Sequence, residues 1–184
     1  MKLWTIQPVE VIDILNRDGI FRCNPLLSDN YCCRCFKDAY DWLVEEMDKR
    51  DIPHPDGLTI PIWAWYERNR KHKKPDLRES GYTTRGEKCV CIELEIQDNM
   101  VLLSDFDKWH SVLNNFFVSD AETDEEFDKE FDLYESLTTE GKKKMCVDSW
   151  QKIFDISKGY GYTQATFWEI RKEMVKKVVY FTAR

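Results

Sequence analysis

Along the 184-residue chain the apolar positions recur with two periods, one for strands and one for helices. The clearest run is Lys88 to Ile96. Val90, Ile92, Leu94 and Ile96 point one way there, and Cys89, Cys91, Glu93 and Glu95 the other, which predicts a strand. Lys2 to Gln7 predicts a first strand. Thr59 to Tyr66 predicts another, with Trp63 and Trp65 on one face and Ile62, Ala64 and Tyr66 on the other. Both faces of that strand are largely apolar, so it belongs in the middle of a sheet. Ile20 to Cys23, Met100 to Leu103, Thr163 to Ile170 and Val178 to Thr182 predict further extended pieces.

Helical spacing predicts the rest. Pro8 suits a first helical position, Val9, Val11, Ile12 and Leu15 form a stripe, and Gly19 stops that helix. Phe36 to Lys49 carries Phe36, Tyr40, Leu43, Val44 and Met47 on one side. Ser104-Asp105-Phe106-Asp107 fits a capping box led by Ser104, ahead of a helix with Phe106, Trp109, Val112 and Leu113. Ala121 to Glu135 is acidic, yet Phe127, Phe131 and Tyr134 recur at helical spacing. Gly141 is expected to break that helix, with Met145 to Phe154 continuing beyond it and a helical turn near Lys172 to Lys176. Asn24 to Asn30, Ile52 to Gly57 and Lys158 to Tyr162 read as connectors. Strands and helices do not alternate regularly. The expected class is α+β, a single domain over residues 1–184 with a mixed, mostly antiparallel sheet and flanking helices.

Composition narrows the function. The net charge of −7 is not that of a general nucleic-acid binder, so any nucleic-acid contact must be local. No apolar run is long enough to span a bilayer and no signal-peptide core precedes the first strand, which predicts no membrane association and a cytoplasmic protein. Seven cysteines, an odd number, predict free thiols. Cys32 and Cys35 form a C-x-x-C that could join Cys89 and Cys91 around zinc, but the latter pair reads as strand interior, so no metal is expected.

Candidate chemistry concentrates between residues 60 and 75, where Trp63, Trp65 and Tyr66 run into Arg68, Arg70, Lys71, Lys73 and Lys74. The cations are a solvated loop in one reading. In the other they are the mouth of a pocket walled by Trp63 and Trp65, receiving a nucleotide or another flat anion. Glu93 and Glu95 are surface charges, or acid–base groups if their face lines a cleft. His110, alone on a helix, reads as structural. No P-loop, dinucleotide-binding glycine motif or H-E-x-x-H occurs.

Leu3 to Cys23 (LWTIQPVEVIDILNRDGIFRC), PIWAWY with KPDLR, VCIELEI with VLLSDFDKWHSVLNN, and QATFWEI resemble, over essentially the whole chain, a bacterial family catalogued as a domain of unknown function. The Asp18-Gly19 helix end and Gln164-Ala165-Thr166 also resemble, in part, the ADP-ribosyltransferase fold, whose DNA-modifying toxins carry Gln-Ala-Glu on a late strand. That resemblance implies NAD as ligand, with Thr5, Gln7, Trp63, Trp65, Tyr66 and Gln164 lining a cleft. It also implies Arg78 and the basic segment holding phosphate, and Glu169, the nearest acid to Thr166, as the catalytic residue. The alternative is a non-enzymatic module that docks RNA or a partner protein through basic loop 68–74 and acidic helix 121–135.

Overall fold

The computed structural model describes residues 1–25 and 36–184, so the C-x-x-C of Cys32 and Cys35 lies outside the described residues. Six strands, β1 (Lys2–Pro8), β3 (Ile62–Arg68), β4 (Lys88–Glu95), β5 (Leu102–Asp105), β6 (Tyr162–Phe167) and β8 (Val175–Thr182), form one sheet in the order β5-β6-β3-β1-β4-β8. Every neighbouring pair is antiparallel. Two short strands, β2 (Ile20–Arg22) and β7 (Glu169–Arg171), pair separately. The α-helices among the described residues are α1 (Glu10–Asp18), α2 (Lys37–Lys49), α3 (Phe106–Leu113), α4 (Asp124–Ser136) and α5 (Thr139–Ser149). The fold is α+β, as its irregular alternation predicts.

The two faces of the sheet bury different cores. Leu3, Ile62, Ala64, Val90, Ile92 and Leu94 pack with Val11 and Leu15 of α1. The opposite face carries Trp63, which packs with Tyr40, Leu43 and Met47 of α2 and with Trp109 and Val112 of α3. Period two at Ile62–Trp65 therefore divides the strand as expected, and β3 is indeed internal to the sheet. Burial of each large side chain contributes about 1.5–3 kcal/mol.

Beyond shifts of a few residues at strand ends, such as β5 at Leu102–Asp105 and β8 from Val175, four boundaries differ from the sequence expectation for a clear physical reason. Pro8 closes β1 rather than opening the helix, since its missing N–H costs nothing at a strand end, and α1 starts at Glu10. Asp105, not Ser104, caps α3, accepting from Lys108 N, because β5 runs on through Asp105. Gly141 sits inside the first turn of α5, where the Thr138 hydroxyl accepts its N–H, and the break falls at the extended Leu137 and Thr138 instead. Thr163 to Ile170 is not one strand. A bend at Trp168 ends β6 and starts β7.

Candidate functional site: an aromatic cleft at the β3–β6 junction

Trp65 stands opposite Gln164 in the β3–β6 register, so both side chains leave the same face of the sheet, with Trp63 one diagonal step away. Helix α3 crosses above them. Its Phe106 ring lies 4.9 Å from Trp65 and its Trp109 ring 5.2 Å from Trp63. Tyr40 of α2 closes the deep end, edge-on to Trp63 and Trp109 at 6.2 and 5.7 Å. Between these elements lies a cleft of about 350 Å³, completed by His110 and by Tyr82 from the irregular segment after β3.

The polar groups here are unusual. Trp63 Nε1 and Gln164 Nε2 are buried and have no hydrogen-bond acceptor among the described residues. Ser104, paired with Gln164 on the β5 side, has a buried hydroxyl in the same condition. His110 Nδ1 lies 2.9 Å from Phe106 O, which can only accept, so Nδ1 is the donor of this contact and Nε2 is the ring nitrogen not engaged by it. Burial pushes the Tyr82 phenol up to about 12, so it stays protonated at neutral pH.

Arg68 forms the rim. Its guanidinium lies 4.6 Å from the Trp65 ring centre, donates to the Tyr82 hydroxyl at 2.6 Å and pairs with Glu79 at 2.8 Å. The following residues are not a loose loop. Arg68 and Lys71 exchange backbone hydrogen bonds of 3.0 and 3.1 Å around Asn69 and Arg70, both at positive φ of 52° and 55°, a two-residue hairpin turn. Arg70 N donates to Gly161 O at 3.0 Å and its guanidinium to Gly159 O at 3.2 Å. His72 packs on Trp4 and Tyr66, with ring centres at 5.2 and 4.4 Å. Lys71, Lys73 and Lys74 remain exposed.

Of the residues singled out from the sequence, Trp63, Trp65 and Gln164 come together in this cleft. Arg68 stands at its rim, whereas Thr5, Gln7, Tyr66, Arg78 and Glu169 lie elsewhere. Thr5 pairs with Ile92 and lies on the opposite face; its hydroxyl donates to Trp63 O at 2.7 Å and accepts from Gln7 Nε2 at 2.8 Å, tying β1 to β3. Tyr66 lies against His72. Arg78 is clamped on Asp76, with contacts of 2.9 and 2.6 Å, and that guanidinium holds the Asp76 carboxyl far below the usual carboxylate range. Glu169 is buried on β7 between Arg22 and Arg171, at 2.9 and 2.7 Å, beyond the Trp168 bend and beside His54, which stacks on Trp168 at 3.8 Å. Glu93 is not a poised acid. Lys2, with Trp4, holds its carboxyl below the ordinary value. Tyr82 and His110 were not legible as cleft residues, since one sits in an aperiodic segment and the other on a helix face whose partner only the fold reveals.

A larger groove of about 700 Å³ lies between α2 and α5. Its buried polar atoms are already partnered: Trp150 Nε1 donates to Phe116 O at 2.8 Å and Cys146 Sγ to Asn115 O at 3.4 Å. Nothing there asks for a polar ligand. No group of side chains among the described residues is arranged to hold a metal ion, and no described helix is long and apolar enough to cross a membrane.

The fold and cleft define an α+β domain with an aromatic pocket at one sheet face. The chain belongs to a family described as a domain of unknown function, DUF3841, whose family model matches residues 2–176. No curated protein and no solved structure matches the chain.

Proposed function

We propose that the cleft binds a flat heterocyclic ligand of the nucleotide type, NAD among the candidates. The observation that carries this is the gathering of the Trp65, Phe106, Trp109 and Tyr82 rings around one cleft open to the surface. Its volume of about 350 Å³ lies at the lower end for ligand pockets, which suits one base with its sugar rather than a whole dinucleotide. Arg68, already over Trp65, is the cation that a ligand phosphate meets on leaving the ring site. The reading is binding rather than group transfer, because Glu169 would have to leave two arginines to act on this cleft. Unpaired Cys23, Cys89, Cys91 and Cys146 support a reducing compartment, the cytoplasm.

A thermal-shift titration with NAD, AMP and UMP at fixed salt tests this. A ligand at a hundredfold excess over its Kd stabilises the fold by about 2.7 kcal/mol. The expected result is a saturable upward shift with at least one of them, lost in Trp65→Ala. No shift with any at millimolar concentration removes the proposal.

One observation favours a second reading, protein docking. Helix α4 buries none of its residues fully, and it exposes Phe127, Phe131 and Leu133 among seven acidic side chains and one lysine. Such a surface suits a basic amphipathic partner rather than RNA. Calorimetry with a lysine–leucine helical peptide should give heat that Phe127→Ser/Phe131→Ser abolishes; a silent titration ends this reading.

A further inference from the structure

The orphan donors of the cleft narrow its ligand, given the flat-ring reading above. An indole N–H can only donate, and that of Trp63 has no acceptor among the described residues. Gln164 is 6% exposed, lines the same cleft, and its amide nitrogen is also without an acceptor. Buried donors in this state are rare in native structures, and each one points to a missing partner. Here the two residues that carry them lie on adjacent strands, on one face, and line one cleft.

We propose that the cleft recognises its ring ligand through an exocyclic carbonyl oxygen, a carboxamide or a ring oxo group, which accepts from Trp63 and Gln164 together. A carbonyl oxygen has two lone pairs in its plane and satisfies both donors at once. A ring nitrogen has one lone pair and leaves one donor unpaired. An amino group satisfies neither. If the Gln164 amide is turned about, its oxygen faces the N–H beside the carbonyl in a carboxamide or lactam, so the ligand class is unchanged. The Tyr82 hydroxyl does not supply the acceptor, being held by Arg68 and donating to Asp76 O. The ligand class is therefore a nicotinamide-type carboxamide or an oxo-pyrimidine or oxo-purine.

The test compares matched small probes on the full chain by saturation-transfer NMR titration: nicotinamide against 3-methylpyridine, and uracil against pyrimidine. The expected result is that at least one carbonyl probe binds about tenfold or more tighter than its match, the scale of one or two net hydrogen bonds. Trp63→Phe, which keeps a ring and removes the N–H, should erase most of that difference. Equal affinities within both pairs overturn carbonyl recognition while leaving the flat-ring site standing. No binding by any of the four probes overturns the flat-ring reading and this inference with it. The comparison on the unaltered protein decides the matter even where a variant fails to fold.

Discussion

Asp105 and Tyr160 are joined directly: Oδ2 of the buried carboxylate accepts the Tyr160 backbone N–H at 3.0 Å, while Oδ1 caps α3 through Lys108 N at 2.8 Å. One side chain thus fixes both the helix that roofs the cleft and the loop that anchors Arg70. Asp105→Ala should lower the unfolding free energy by about 2–3 kcal/mol, the sum of a lost cap and a lost buried hydrogen bond. Urea unfolding measures it, and Asp105→Asn should recover part of the loss.

Gly159 is required by the same carboxylate. A Cβ there would stand 2.2 Å from Asp105 Oδ2, so Gly159→Ala must displace one of them. The two substitutions share one contact. The double variant Asp105→Ala/Gly159→Ala should therefore cost less than the sum of the singles by about 1 kcal/mol. Strict additivity would show that the contact is not shared.

Glu169 should behave as a structural acid. Its carboxylate is 4% exposed and bridges Arg22 and Arg171, which are about half exposed. Glu169→Gln should cost about 2 kcal/mol, less than for a fully buried pair, since both arginines can reach water. The ligand-induced thermal shift should keep its midpoint concentration. A loss of ligand response at unchanged stability would restore Glu169 to the binding site.

Two thiols, the half-buried Cys23 and the buried Cys91, predict a pH window. Burial pushes the Cys23 and Cys91 thiols from 9.0 to about 11. A raised folded-state value means that the unfolded chain loses its proton first. The stabilisation is complete below pH 9 and is lost as pH rises from about 9 to 11. The urea midpoint should fall between pH 8 and pH 10, and Cys91→Ser should shrink the fall. At pH 8, peptide mapping after iodoacetamide should find Cys91 unmodified in the folded protein and modified once it is unfolded.

Much of the fold was legible because burial writes its own period. β4, α3 and both faces of β3 follow directly from alternating or helical apolar positions. Strand alternation also puts Trp63 and Trp65 on one face; Gln164, named only through the resemblance, is set beside them by the β3–β6 register. What was not legible depends on long-range pairing. Gly141 looks like a breaker until Thr138 is seen capping the turn that contains it. Glu169 looks like a continuation of β6 until β2 supplies the partner strand that takes it away. Thr5 and Gln7 look like ligand groups until their hydrogen bonds are found already closed on Trp63 O and each other.

The strand order also sets a schedule for synthesis. β1 is flanked by β3 and β4, but β3 needs β6 on its other side and β4 needs β8, both of which come from residues 162–182. A nascent chain that has emerged only through β5 would hold a three-stranded sheet with two open edges, β3 on one side and β4 on the other. Folding must wait for the last segment, and until then those edges are where a chaperone, or another nascent chain, would attach.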